Sequence, residues 1–323
     1  GLTWRDSSMV AVPFVFTGAI VSCFIQFAVN AGGTMVLESD FDIDRYLDVI
    51  QRHRVSAATT VPVVWERLMR SPGFEKADLS SMISAAAGGA PVSIDLIEAY
   101  RAKGISLIQS YGLTEASGLA ATMHGDDAIA HIGWAGRPIV GSEMKIGDAD
   151  GNTLANGEIG EIMVRGPHVM REYWRNPEAT AATFAGDWLR TGDTGMMNDE
   201  GFVKIVDRSK DMIISGGINV YPAEIEKILS ANPHIGELAV IGVPDSDWGE
   251  VPMIVASGVK DEGAALSALE TDGSAQLAAF KRPRRVVFID EPLPRTLSGK
   301  ISKPTLRGLF PAVPDQAKAL FGK

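Results

Sequence analysis

The sequence predicts an α/β protein: a parallel-sheet α/β portion, a small β-barrel-like subdomain and a small α+β carboxyl-terminal domain. Three observations predict it. Strand and helix patterns alternate over residues 1–131, which is the signature of a parallel sheet covered by helices. Short strands separated by Gly, Asn and Asp turns fill 132–206. A run of four charges in five residues, 207–211, then separates this region from 212–323, where the pattern changes again. The chain of 323 residues is long enough for two or three domains. Its 46% hydrophobic and 22% charged residues exclude global disorder. Acidic residues outnumber basic ones 40 to 30, so bulk electrostatics does not recruit nucleic acid. Cys23 is the only cysteine, which excludes an intrachain disulfide and cysteine-rich zinc sites and points to a reducing, cytoplasmic compartment.

The elements follow in order. Residues Ser7 to Leu37 carry no charge, a length that could span a bilayer. Pro13, Gly18, Gln26, Asn30 and Gly32-Gly33 interrupt the run. It reads instead as a buried strand (Met9 to Phe16), helix (Gly18 to Asn30) and strand (Thr34 to Glu38). With no basic n-region before it and no A-x-A-like site soon after it, the run does not read as a signal peptide. Asp42 caps a helix with Ile43, Leu47 and Ile50 as its apolar stripe. Val55 to Val61 is a β-branched strand, and Pro62 opens the next helix at its first turn. Ile83 to Ala87 is a buried strand, followed by a Gly88-Gly89-Ala90-Pro91 turn. Val92, Leu96 and Tyr100 form the inner face of a helix that Gly104 stops, and Ser106 to Tyr111 is a further strand. Turns are expected at Asp148 to Gly151, Asn156-Gly157 and Asn198 to Gly201. A helix opens at Tyr221-Pro222 with Ile225, Ile228 and Leu229 inward. Strands at Leu238 to Val243 and Met253 to Val259 and a helix near Leu266 to Phe280 complete the chain.

Several chemistries are excluded by missing motifs. The five histidines show no i,i+3 or i,i+4 pairing, so there is no zinc helix. There is no G-x-S-x-G elbow. Gly299-Lys300 imitates a Walker ending, but Pro294 stands where the first glycine belongs and Ile301 replaces Ser/Thr. No G-x-G-x-x-G follows a strand.

Four segments carry candidate chemistry. Gln109 to Glu115 sits at the carboxyl end of a predicted strand, where open α/β sheets bind ligands. There Tyr111 offers a flat face, Gly112 permits close approach, Thr114 offers a hydroxyl and Glu115 a carboxylate for a divalent cation. The alternative is a polar strand end with a helix cap. Asp193, in Thr191-Gly192-Asp193, could accept both hydroxyls of a ribose, or simply make an Asx turn. Asp207-Arg208-Ser209-Lys210-Asp211 reads as an exposed linker, and Gly216-Gly217 after it as a loop whose backbone meets a ligand. Lys300 lies in a small-residue loop, as a mobile point charge for phosphate or carboxylate or as an ordinary surface lysine.

Order and spacing together decide. Ser-Tyr-Gly-Leu-Thr-Glu at 110–115, Arg-Thr-Gly-Asp at 190–193, Asp-Arg-Ser-Lys-Asp at 207–211, Gly-Gly-Ile-Asn-Val-Tyr-Pro-Ala-Glu-Ile-Glu at 216–226 and Ser-Gly-Lys-Ile at 298–301 resemble the adenylate-forming enzymes, in particular the acyl-CoA synthetases. Gly-Gly-Ala-Pro at 88–91 and Tyr-Trp-Arg-Asn-Pro-Glu-Ala-Thr at 173–180 match as well. The resemblance covers essentially the whole chain.

It implies an acid–CoA ligase that uses ATP, magnesium, coenzyme A and a small carboxylic acid, with no nucleic-acid partner and no transmembrane segment. By resemblance, Gly88, Gly89, Ala90, Tyr111 and Gly112 surround the nucleotide and Thr114 meets phosphate. Glu115 serves magnesium. Asp193 binds the ribose with Arg208, and Lys300 bridges carboxylate and α-phosphate. Lys210 is the hinge of a mobile small domain, and Gly216 and Gly217 line the CoA tunnel. The implied domains are 1–206 (1–131 and 132–206), a hinge at 207–211, and 212–323. Two departures stand out. The family's phosphate loop ending in Pro-Lys-Gly has no counterpart, so the chain reads as the last three-fifths of a family member, weakly active or inactive by itself. Where relatives read Pro-x-Phe-His, this sequence reads Pro13-Phe14-Val15-Phe16; Phe16, with Gly112, hints at an apolar acyl pocket. The alternatives are a module that loads a carrier-protein thiol and a truncated nucleotide-binding module. Lys281 to Arg285 is read as surface, or as a site for CoA phosphates.

Overall fold

The computed structural model describes residues 3–10, 17–38, 42–88, 92–125, 127–296 and 299–321, and the elements counted below are those of the described residues. The chain divides into two compact units: Gly1–Thr191 with Gly195–Ile205, and Gly192–Thr194 with Val206–Lys323.

The first unit is built on a seven-stranded sheet: β1 (Ser7–Val10), β2 (Thr34–Leu37), β3 (Ala57–Thr60), β4 (Ser84–Gly88), β5 (Leu107–Tyr111), β6 (Ala121–Thr122) and β7 (Arg137–Pro138). Its order is β2-β1-β3-β4-β5-β6-β7. The first five strands run parallel, with Ala85 opposite Leu107 and Ser8 opposite Ala57; β6 and β7 add antiparallel. The helices are α1 (Ile43–Arg52), α2 (Pro62–Arg70), α3 (Ile94–Ala102) and the short α4 (Asp127–Ala130). Asp42 Oδ1 accepts from Arg45 N at 3.3 Å, the cap expected from sequence. Pro62 stands in the first turn of α2, where a missing N–H costs nothing. Trp65, Leu96 and Tyr100 are buried between these helices and the sheet. The Trp65 and Tyr100 rings meet edge to face at 5.2 Å. Both polar tips are satisfied: Trp65 Nε1 donates to Ala86 O, and Tyr100 Oη to Trp65 O.

The apolar run 7–37 needs a correction. Only Ser7–Val10 of its first strand is described, and it is fully buried. The expected helix is a π-helix, Ala19–Asn30. Phe24, Ile25 and Val29 on it are exposed, as is Leu37 of β2, so the run is not core throughout. The buried reading rests on the unbroken apolar run, and such a run does not say which side chains of a helix face inward. Among the described residues, no helix is long and apolar enough to cross a membrane.

A curled five-stranded sheet follows: β8 (Glu143–Gly147), β9 (Gly160–Arg165), β10 (Phe184–Ala185), β11 (Trp188–Met197) and β12 (Val203–Arg208), with α5 (Pro177–Thr183) between β9 and β10. The strands β11 and β12 carry the chain through the division between units.

The second unit holds a six-stranded sheet: β13 (Ile213–Ser215), β14 (Ile218–Val220), β15 (Glu237–Asp245), β16 (Gly249–Ser257), β17 (Arg285–Ile289) and β18 (Lys318–Ala319). Strands β15 and β16 pair antiparallel over nine residues, and β16 pairs β17 in parallel. The helices are α6 (Pro222–Leu229), α7 (Glu262–Gln276) and α8 (Lys303–Leu309). Ile225, Leu229, Val240, Ile254 and Leu269 form one apolar layer, and Val243, Met253, Val287 and Leu306 another.

Candidate functional site

The residues that the sequence groups into one site fall into both units, and each group is built within its own. In the first unit, β5 ends at Tyr111 and the chain turns through a single 3₁₀ turn, Thr114–Ala116. Ser117 closes that turn in the left-handed region, at φ 53°. Gly112 is required here for a reason the sequence reading did not give. A Cβ at this position would lie 2.3 Å from the Gly118 carbonyl oxygen, so the close approach is to the chain's own backbone. Tyr111 is 6% exposed and packs among Ala116, Ala120, Ile146 and Ile162. Thr114 is exposed and Glu115 half-buried at the carboxyl end of the strand. Gly88 ends the neighbouring strand β4.

Residues 168–173 pin the turn. Met170 N donates to Glu115 O at 2.8 Å, Ser117 Oγ to His168 O at 2.6 Å, and Tyr173 Oη to Glu115 Oε1 at 2.9 Å. Burial first, and then the Glu115 carboxylate, raises the Tyr173 phenol pKa, so Tyr173 stays a donor at neutral pH. The sequence reading quoted Tyr173 within a motif but gave it no role; a tyrosine 58 residues away carries no local signal of this contact. Among the described residues no three His, Cys, Asp or Glu side chains cluster to hold a metal. Glu115 thus offers a single carboxylate, which is the donor set for an Mg²⁺ bound mainly through phosphates and water.

The second unit brings three predicted residues together. Asp193 is 8% exposed, with Arg208 Nε 3.3 Å from its Oδ1. Lys300 lies close enough to both for each to act on its ammonium. Desolvation first, and then Arg208, lowers the Lys300 pKa, while Asp193 raises it. The residue is nevertheless solvent-exposed by surface area, so its desolvation is partial. Asp207 is buried because it organises the linker: Oδ1 accepts from Arg208 N and Oδ2 from Ala223 N, at the start of α6. Asp211 pairs with Arg307 of α8 at 2.7 Å. Lys210, between them in a 3₁₀ turn, is exposed.

Gly216 and Gly217 form the turn between β13 and β14, at φ 58° and 79°. The Gly216 N–H donates to Trp248 O at 2.8 Å, and a Cβ there would strike the Trp248 ring at 2.5 Å. Arg284 stands 4.7 Å over that ring. Sequence reasoning missed Trp248, which lies in no motif that it used. It read Lys281 to Arg285 as one cluster, whereas Lys281 pairs with Glu224 and Arg282 donates to the Ser274 and Leu277 carbonyls. Gly89, Ala90 and Phe16, together with Ser298 beside Lys300, lie outside the described residues.

Comparisons with known proteins identify the family. The model of the AMP-binding enzyme family matches residues 1–174, and that of the AMP-binding enzyme C-terminal domain matches residues 224–300. An indoleacetate–CoA ligase from Aromatoleum aromaticum is 41% identical over 95% of this chain and 60% of its own length. A feruloyl-CoA synthase from an Amycolatopsis species is 39% identical over 94% of the chain and 62% of its own length. The o-succinylbenzoate CoA synthetase of Bacillus subtilis has been solved with its acyl-adenylate intermediate. It superposes with a TM-score of 0.86 at 34% identity, over 95% of this chain and 62% of that one. The same enzyme with ATP and magnesium superposes at 0.83, 33% identical over the same shares. The chain therefore spans about three-fifths of the length of the relatives it matches. Matched by the family model over more than half its length, the chain belongs to the AMP-binding enzyme family.

Proposed function

We propose that this chain forms the larger part of an ATP-dependent acid–CoA ligase. The carrying observation is the Asp193–Arg208–Lys300 group, in which a lysine ammonium is poised beside a buried carboxylate. In the first half-reaction a substrate carboxylate oxygen attacks the α-phosphorus of ATP, and the bond to pyrophosphate breaks. Lys300 stabilises the negative charge on the carboxylate and the α-phosphoryl oxygens. Asp193 accepts the ribose hydroxyls, with Arg208 holding its carboxylate in place. Tyr111, Gly112 and the 88–90 segment border the base. Thr114 donates to phosphate, and Glu115, fixed by Tyr173, holds Mg²⁺, which supplies charge neutralisation when bound. In the second half-reaction the CoA sulfur, as thiolate, attacks the acyl carbon and AMP leaves. Gly216 and Gly217 border the pantetheine, with Trp248 behind them. Lys210 is the pivot between the two steps, and the domains are 1–206, 207–211 and 212–323.

The acid is one with an apolar or aromatic group; the ligases named for indoleacetate and ferulate, and a phenylalanine at sequence position 16 where relatives carry histidine, support this. The lone Cys23 supports a cytoplasmic setting. The sequence has no match to the family's triphosphate loop, so adenylation by this chain alone is expected to be weak. Lys300→Ala tests the assignment in the chain joined to such an upstream region. Acid-dependent ATP–pyrophosphate exchange should fall about 10²–10³-fold, equivalent to ~3–4 kcal/mol. Thioester formation from supplied acyl adenylate should persist. An equal loss in both steps would remove Lys300 from its role.

A further inference from the structure

The motif residues of the first unit stand at the carboxyl ends of β4 and β5. The amino-terminal edge of the same parallel sheet carries a separate cleft of about 470 Å³, lined by residues at the starts of β1 to β4 and the end of α1. Its basic side chains are Arg5, His53 and Arg54. Among the described residues, none of the three has an ion pair; Arg5 lies over the Trp4 ring, and Arg54 helps to lower the Asp78 carboxyl pKa. One carboxylate, Asp6, lines the cleft and is engaged by the amide and hydroxyl of Thr3, and a second, Asp78, lies near Arg54.

Two serines beside the starts of β1 and β3, Ser7 and Ser56, also line the cleft. Ser7 is 8% exposed, and its Oγ is buried without a partner. Ser56 Oγ accepts from Ser7 N at 2.8 Å and donates to Ser7 O at 3.0 Å, and the Asp6 carboxylate also draws on that hydroxyl.

Arg54 is anomalous as well. It closes α1 at φ 45°, with Val55 N donating to Ile50 O at 3.0 Å. This is a left-handed helix-stop position that glycine fills without strain. An arginine there gives up backbone comfort and contributes a guanidinium to the cleft wall.

We propose that this cleft binds a small phosphate-bearing anion. Guanidinium forks match phosphate oxygens, and serine hydroxyls complete such a shell. The volume exceeds what a lone phosphate needs and accommodates a phosphomonoester. The site is independent of the nucleotide-binding residues proposed above.

Calorimetric titration of the chain with glycerol 3-phosphate, inorganic phosphate and glycerol tests it. Saturable binding of glycerol 3-phosphate is expected, with glycerol silent. Binding of inorganic phosphate alone would still support the site and identify the free ion as its source. Arg54→Gly is the informative variant, because it relieves the left-handed strain and keeps the fold while removing the fork. It should weaken binding about tenfold or more, with thermal stability unchanged or raised. Arg5→Ala should act in the same direction, and Lys300→Ala should leave this binding intact. Absence of saturable binding, binding indifferent to both arginine variants, or binding lost in Lys300→Ala but kept in Arg54→Gly would overturn the proposal.

Discussion

Lys300 answers to two opposite charges, and that opposition is testable without turnover. Desolvation and Arg208 draw its ammonium pKa down, and Asp193 draws it up. For a lysine, a lower pKa means that the cation is lost at lower pH as pH rises. Asp193→Asn removes the raising charge, so the Lys300 titration should move to lower pH; Arg208→Gln should move it higher. A ¹³C titration of the Lys300 ε-carbon reads both, and a titration unmoved by either variant would separate Lys300 from the pair. Sequence made the three residues legible as motif members, but the balance among them is a property of three-dimensional proximity, which no local pattern encodes. The same holds for Tyr173, whose bond to Glu115 crosses 58 residues of chain.

At the scale of elements, two short turns hold residues to which the proposed chemistry is assigned. The 112–118 turn is fastened by its own backbone and by the 168–173 segment. Gly112→Ala places a methyl 2.3 Å from the Gly118 carbonyl, and the neighbour is backbone rather than a flexible tip. Denaturant unfolding should show a loss of about 1–3 kcal/mol; an unchanged midpoint would mean that the turn yields. The 207–211 linker is different, since both of its carboxylates are tied to helices of the second unit while Lys210 is exposed between them. Lys210→Pro fixes φ in the middle of that linker. With the upstream region joined, adenylation should survive and thioester formation fall. A proportional loss of both, read as two half-reaction rates on one preparation, would make Lys210 an ordinary surface charge. Regular elements were readable where a cap, a first-turn proline or a buried stripe marked them, as at Asp42, Pro62 and Leu96. The 19–30 segment was misread because uniform hydrophobicity carries no period from which to infer a buried face.

For the whole molecule, the order of motifs was the strongest signal, and the family match over residues 1–174 and 224–300 accords with it. The grouping of Gly192–Thr194 with the second unit was not legible, because it reflects proximity in space rather than a composition change along the chain. The central claim is that these residues make a thioester from an acyl adenylate. The most direct measurement supplies the chain with a synthetic arylacetyl adenylate and coenzyme A and follows both products by mass spectrometry. The account predicts acyl-CoA and AMP in equal amounts, formed faster than in buffer alone. A folded chain that binds the adenylate yet yields no thioester, or that acylates only a carrier-protein thiol, would contradict it.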